Sequence, residues 1–166
     1  MAHAWNEFKL RISINTPVEK VYKAWATPAG LESWFLRKAL ILAPGDTGDG
    51  RAGGDPIKKG DAYEWWWHGH YDLSHKGAIL DANGKDQFRF SFSLDCPVTI
   101  SLYRECDETI VELRESDMPA DEEKVVKHYL SDLQGWVFYL TNLKSVLEGG
   151  IDLRNRKREL KNVINS

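Results

Sequence analysis

Phe8, Leu10, Ile12 and Ile14 share one parity with Asn6, while Glu7, Lys9, Arg11 and Ser13 share the other. Apart from Asn6, one face is apolar and one polar, the pattern of a half-buried strand over residues 6–14. Thr16-Pro17-Val18-Glu19 then predicts a helix start, with a capping hydroxyl, a proline at the first helical position and a glutamate three residues after the cap. Val18, Val21, Tyr22 and Trp25 follow at i, i+3, i+4 and i+7, a stripe that must be buried. Thr27-Pro28 repeats the signal and predicts a second short helix through Leu31 to Trp34.

Residues 38–43 read as a short strand. Residues 44–60 hold six Gly, two Pro and three Asp, which is loop chemistry. Strands are predicted at 61–70, 73–81, 87–93, 98–105 and 108–115, with Asn83-Gly84 as a hairpin turn between the second and third of these. Phe88, Phe90 and Phe92 share one face, as do Val98, Ile100 and Leu102. Successive hairpins imply an antiparallel sheet with one buried face. A helix is predicted from Asp121 to Glu148, opening on Asp121, Glu122 and Glu123 and ending at Gly149-Gly150. Its seam is Tyr129, Leu133, Trp136, Leu140, Leu143 and Leu147. A helix of that length has to lie across the sheet to bury the seam, so the fold class is α+β.

Composition narrows the function. The 166 residues are 42% hydrophobic and 28% charged, which excludes a disordered chain and fits one domain. The net charge is −3, and residues 151–166 carry five basic and two acidic side chains. The body is therefore acidic and repels phosphate backbones, so no nucleic-acid partner is expected. Residues 1–20 lack the apolar run of a secretory signal. The uncharged stretch Leu133 to Leu143 is shorter than the roughly 20 residues of a membrane span. Cys96 and Cys106, at opposite ends of a strand, would lie about 30 Å apart at about 3.3 Å per residue. Two free thiols and a cytoplasmic location are expected.

Three segments carry a resemblance: "INTPVEKVYKAWATPAGLESWF", "HKGAILDANGKDQFRFSF" and "GWVFYLTNLKSVLEGG". They resemble the family of activators of the 90-kDa heat-shock-protein ATPase, within the START-like (SRPBCC) helix-grip superfamily. The resemblance implies a curved antiparallel sheet of six or seven strands wrapped around a long C-terminal helix, over residues 1–150, with 151–166 as a basic tail. It also implies an apolar cavity between sheet and helix, and a link to the stress response. The 44–60 loop departs from the family's compact turn, which leaves the cavity mouth open to question.

The candidate site is the run Tyr63 to Tyr71. Strand alternation puts Tyr63, Trp65, Trp67 and Tyr71 on the face toward the long helix, and Glu64, Trp66, His68, His70 and Asp72 on the other. Flat rings offer large contact area at low conformational cost. Expected ligand-binding residues are Tyr63, Trp65, Trp67, His75, Phe90, Trp136 and Leu140. The plain alternative is an ordinary core that uses tryptophan. His68, His70 and Asp72 have the parity of a metal site, against which stand two solvent-facing histidines on a sheet; no metal or cofactor is assigned. His75 is read as inward, able to orient a ligand or move a proton, and no pair of inward carboxylates is evident to support catalysis. Gly135, in mid-helix, is read as packing clearance beside Trp136. The tail has Leu153, Leu160, Val163 and Ile164 among its basic residues, and either extends as a short helix that docks on the body or on a second subunit, as in a homodimer, or frays.

Three functions follow in order. The first is binding of a small apolar molecule without catalysis. The second is a chaperone-binding module that stimulates the heat-shock ATPase. The third is a cavity lyase or isomerase using His75.

Overall fold

The computed structural model describes residues 5–69, 71–119, 122–160 and 162–165, with the backbone alone at 122–124. Its elements are β1 (Phe8–Ile14), α1 (Val18–Ala26), α2 (Pro28–Trp34), β2 (Lys38–Leu42), β3 (Ala62–Trp66), β4 (His75–Ala82), β5 (Gln87–Ser91), β6 (Pro97–Glu105), β7 (Glu108–Glu115) and α3 (Glu122–Leu147). A single 3-10 turn, Ser93–Asp95, links β5 to β6. The strands form one antiparallel sheet in the order β1-β7-β6-β5-β4-β3-β2, and α3 packs against its inner face. This is the expected α+β helix-grip architecture.

The two short helices differ at their starts. Thr27 caps α2 as its sequence predicts, accepting a hydrogen bond from the Gly30 amide at 3.0 Å. Thr16 does not cap α1, which begins after Pro17 with no side-chain cap. Its hydroxyl instead donates to the Leu147 carbonyl at the end of α3, 3.2 Å away. A tertiary acceptor has outcompeted the local one. The Trp34 indole donates to the Ala24 carbonyl at 3.0 Å and locks α2 onto α1.

Other differences follow from backbone geometry. The strand expected over 61–70 stops at Trp66, and the one expected over 87–93 stops at Ser91. The Asn83-Gly84 hairpin is a four-residue connection, because the Asn83 side chain accepts from the amides of Lys85, Asp86 and Gln87. The 44–60 loop is pinned rather than loose. Arg51 reaches the fully buried Asp61 through two bonds of 2.6 and 2.7 Å, and Ile57 donates to Ala26 in α1.

Among its described residues the tail forms no helix, and a buried arginine holds it to the body. Arg154, only 7% exposed, donates to the carbonyls of Leu36 and Ser33 and pairs with Asp152 at 2.7 Å. Buried Asn142 of α3 completes the dock, donating to the Trp34 carbonyl and accepting from the Leu153 amide.

Candidate functional site

A cavity of about 260 Å³ opens between the middle of α3 and the β3–β5 end of the sheet. Aromatic rings make most of its wall: Phe35 from the end of α2, Trp67 after β3, Phe92 after β5, and Trp136 and Tyr139 from α3. These rings touch one another edge to face or tilted, with Phe35–Tyr139 centroids 4.8 Å apart and Phe92–Trp136 5.1 Å apart. Gly135 forms part of the helix side, and His75, Ser93, Ser131 and Asp132 supply the polar atoms.

Of the seven expected ligand residues, Trp67, His75 and Trp136 are in this wall. Tyr63, Trp65, Phe90 and Leu140 are not; they are core residues beneath it, each 3% exposed or less. The reason is packing. Tyr63 and Trp65 are stacked at 3.8 Å, and Phe90 closes against Trp65 at 5.3 Å, so these rings fill the space they were expected to line.

The strand ends at Trp66; Trp67 keeps its predicted facing, but Tyr71 does not. Tyr71 lies outside the cavity between guanidinium groups, with Arg37 and Arg158 5.0 and 4.3 Å from its ring centre. His68 sits on a bend rather than a strand, so the shared strand face proposed for a His68, His70 and Asp72 metal site is not formed. His70 itself lies outside the described residues. Gly135 needs no clearance, since a methyl group there would meet nothing within 4 Å. Its missing side chain instead leaves volume to the cavity.

His75 is held by Tyr63. The Tyr63 hydroxyl lies 2.5 Å from the Ser91 carbonyl, to which it donates, and 3.3 Å from His75 Nδ1. With the tyrosine proton committed to Ser91, Nδ1 is assigned as the donor and Nε2 as an acceptor. Burial lowers the His75 pKa, opposed by the charges of Asp132 and Asp95, and keeps the ring neutral at pH 7. Burial also raises the phenols of Tyr63 and Tyr139, so both keep their protons.

Behind Asp132 lies a polar cluster that the sequence reading missed. Glu115, at the end of β7, is fully buried and accepts from the Trp136 indole at 2.9 Å. Its Oε1 is 3.6 Å from His128 Nε2, and Asp132 Oδ2 is 3.4 Å from the same nitrogen. Cys96 Sγ is 3.9 Å from that nitrogen as well. Glu115 Oε1 and Asp132 Oδ2 are buried with no N–H donor, and the two carboxyl groups hydrogen-bond each other through a shared proton. Burial, reinforced by the Asp132 charge, raises the Glu115 pKa, and burial raises the Cys96 thiol to about 11. The signal was in the strand parity: Thr109, Val111, Leu113 and Glu115 alternate inward together, which places a carboxylate on the core face. Asp132 follows His128 by one helical turn, so Glu115 and Asp132 are the pair of inward carboxylates thought absent.

Fold and cavity together define a START-like helix-grip protein, with a sheet wrapped on a terminal helix and an aromatic pocket between them. The chain belongs to the family described as activator of Hsp90 ATPase homolog 1-like protein, which matches residues 15–148. Comparison with curated proteins finds no significant match. Among solved structures, a Staphylococcus saprophyticus protein superposes with a TM-score of 0.70 at 20% identity, covering 89% of this chain and 96% of that one. The Aha1 dimer from Colwellia psychrerythraea gives 0.64 at 16% identity, covering 87% and 97%. DynU16, a putative protein in the dynemicin biosynthetic locus, gives 0.66 at 18% identity, covering 91% of this chain and 50% of its own. Among the described residues no helix is long and apolar enough to cross a membrane.

Proposed function

We propose that this protein binds one small aromatic molecule carrying a hydrogen-bond donor, without catalysis. The observation that carries this reading is the 260 Å³ ring-walled cavity with His75 and Asp132 at one side. Its size sets the ligand class. An apolar cavity of about 150 Å³ takes benzene, and drug-sized ligands need about 300–1,000 Å³. Two fused rings match that volume.

Native and denaturing mass spectra of the gently purified protein test for a resident ligand. Quenching of tryptophan fluorescence by 2-naphthol, with naphthalene as the comparison, tests the class. The phenol should bind on the order of tenfold more tightly than the hydrocarbon, the value of one hydrogen bond of about 1.4 kcal/mol. Gly135→Leu should fill the cavity and abolish quenching while leaving the far-UV circular dichroism unchanged. Equal, cavity-independent binding of both probes would sink the reading.

The family description favours a second reading, a module that stimulates the Hsp90 ATPase. It requires that adding this protein raise chaperone ATP turnover, and that Gly135→Leu leave that effect intact. The two unpaired cysteines support a cytoplasmic location, and the Colwellia dimer supports looking for a homodimer by light scattering.

A further inference from the structure

We infer that Cys96, Glu115 and His128 form a zinc-binding site, with Asp132 Oδ2 beside His128. Three elements meet there: Cys96 precedes β6, Glu115 ends β7, and His128 lies on the second turn of α3. Their donor atoms, one sulfur, one oxygen and one nitrogen, all lie within 4.8 Å of one another. Cys96 is 2% exposed and Glu115 is fully buried, so neither side chain is a solvated surface group.

The spacings around His128 Nε2 suit a metal cage. From His128 Nε2 the distances are 3.4 Å to Asp132, 3.6 Å to Glu115 and 3.9 Å to Cys96. The two oxygens are farther off than a hydrogen bond of about 2.7–3.2 Å allows. Around a tetrahedral zinc, with bonds of about 2.0 Å to nitrogen or oxygen and about 2.3 Å to sulfur, neighbouring ligands stand about 3.3 Å apart for nitrogen and oxygen and about 3.6 Å for sulfur and nitrogen. The three edges from His128 Nε2 need to contract by only a few tenths of an ångström.

Independent of these spacings, Glu115 Oε1 is buried with no N–H donor and has only the neighbouring Asp132 carboxyl to share a proton with. Its partner oxygen is held by the Trp136 indole, so the free lone pairs face His128. The other ring nitrogen, Nδ1, lies 3.4 Å from the Ser93 hydroxyl, which orients Nε2 toward the same point. Outer-shell partners of this kind accompany metal ligands. The mixed sulfur, nitrogen and oxygen set suits zinc above magnesium or calcium.

Co²⁺ is the probe. The full chain, purified without a polyhistidine tag and stripped with chelator, should bind one equivalent and develop a near-ultraviolet thiolate-to-cobalt absorption with the strong visible bands of a tetrahedral ion. Zn²⁺ should displace it. Cys106→Ser should keep the near-ultraviolet band, and Cys96→Ser should lose it. Outer-shell changes alone cost about 10–100-fold in affinity, so His128→Gln should weaken Zn²⁺ binding by at least about 100-fold with the far-UV spectrum unchanged. Absence of the thiolate band in the wild-type chain at excess Co²⁺, its survival in Cys96→Ser, or unchanged Zn²⁺ affinity in His128→Gln would each overturn the site. None of these readouts depends on the cavity ligand.

Discussion

Gly77 and Gly135 show how the same residue type serves opposite ends. A methyl group on Gly77 would stand 2.4 Å from the Tyr63 hydroxyl and 2.5 Å from its ring. That ring is stacked on Trp65 and bonded to Ser91, so it has nowhere to retreat. Gly77→Ala should therefore destabilise the fold by about 1–3 kcal/mol, the usual cost of overpacking. Gly135→Ala should do the reverse, gaining about 0.5–1 kcal/mol, because the helix prefers alanine and the added methyl meets nothing. Chemical denaturation of the two variants beside the wild type checks both signs. A destabilised Gly135→Ala would mean the cavity has less room than its geometry indicates.

At the scale of elements, the terminal segment and α2 are held by a small ionic network. Burial alone would raise the Asp152 pKa, but hydrogen bonds from Arg154 and Arg156 outweigh it and hold the carboxyl well below its ordinary range. A carboxylate lowered in the folded state adds stability above its unfolded pKa of about 3.9, and loses it as pH falls through the lower folded value. Asp152→Ala leaves Arg154 buried without its counter-charge and should cost about 3 kcal/mol near pH 7. The gap in melting temperature between this variant and the wild type should stay level from about pH 8 to 5 and close below about pH 4. A gap that is constant down to pH 2 would show that Asp152 acts through packing rather than charge.

Across the whole molecule, one aromatic cluster joins every layer. Trp25 of α1 meets Trp34 of α2 at 4.5 Å and lies 6.1 Å from Trp136 of α3, while Phe90 of the sheet approaches Trp136 at 6.2 Å. A core shared this way cannot release one layer and keep the others. Unfolding monitored by tryptophan fluorescence and by far-UV circular dichroism should give coincident transitions. Two separated transitions would mean that α3, with its ligand wall, detaches before the sheet melts.

Element type and order were legible along the chain, because helix and strand periods, proline starts and glycine stops are local properties. The seam on α3 and the register-setting alternation of β1 and β7 could be read the same way. The inward carboxylate of Glu115 was also written in that alternation, though only the neighbourhood of His128, Asp132 and Cys96 gives it meaning. What tertiary structure alone decided is where rings fill space and where they leave it. Tyr63, Trp65 and Phe90 have the same composition and parity as cavity residues, yet they stack into a closed core, while Trp67 lines the opening beyond the strand's end. The competition for Thr16 and the dock of Arg154 were likewise settled by acceptors more than a hundred residues away. Periodicity says which side of an element is buried; whether that burial is complete depends on the volumes of groups that meet only in the folded chain.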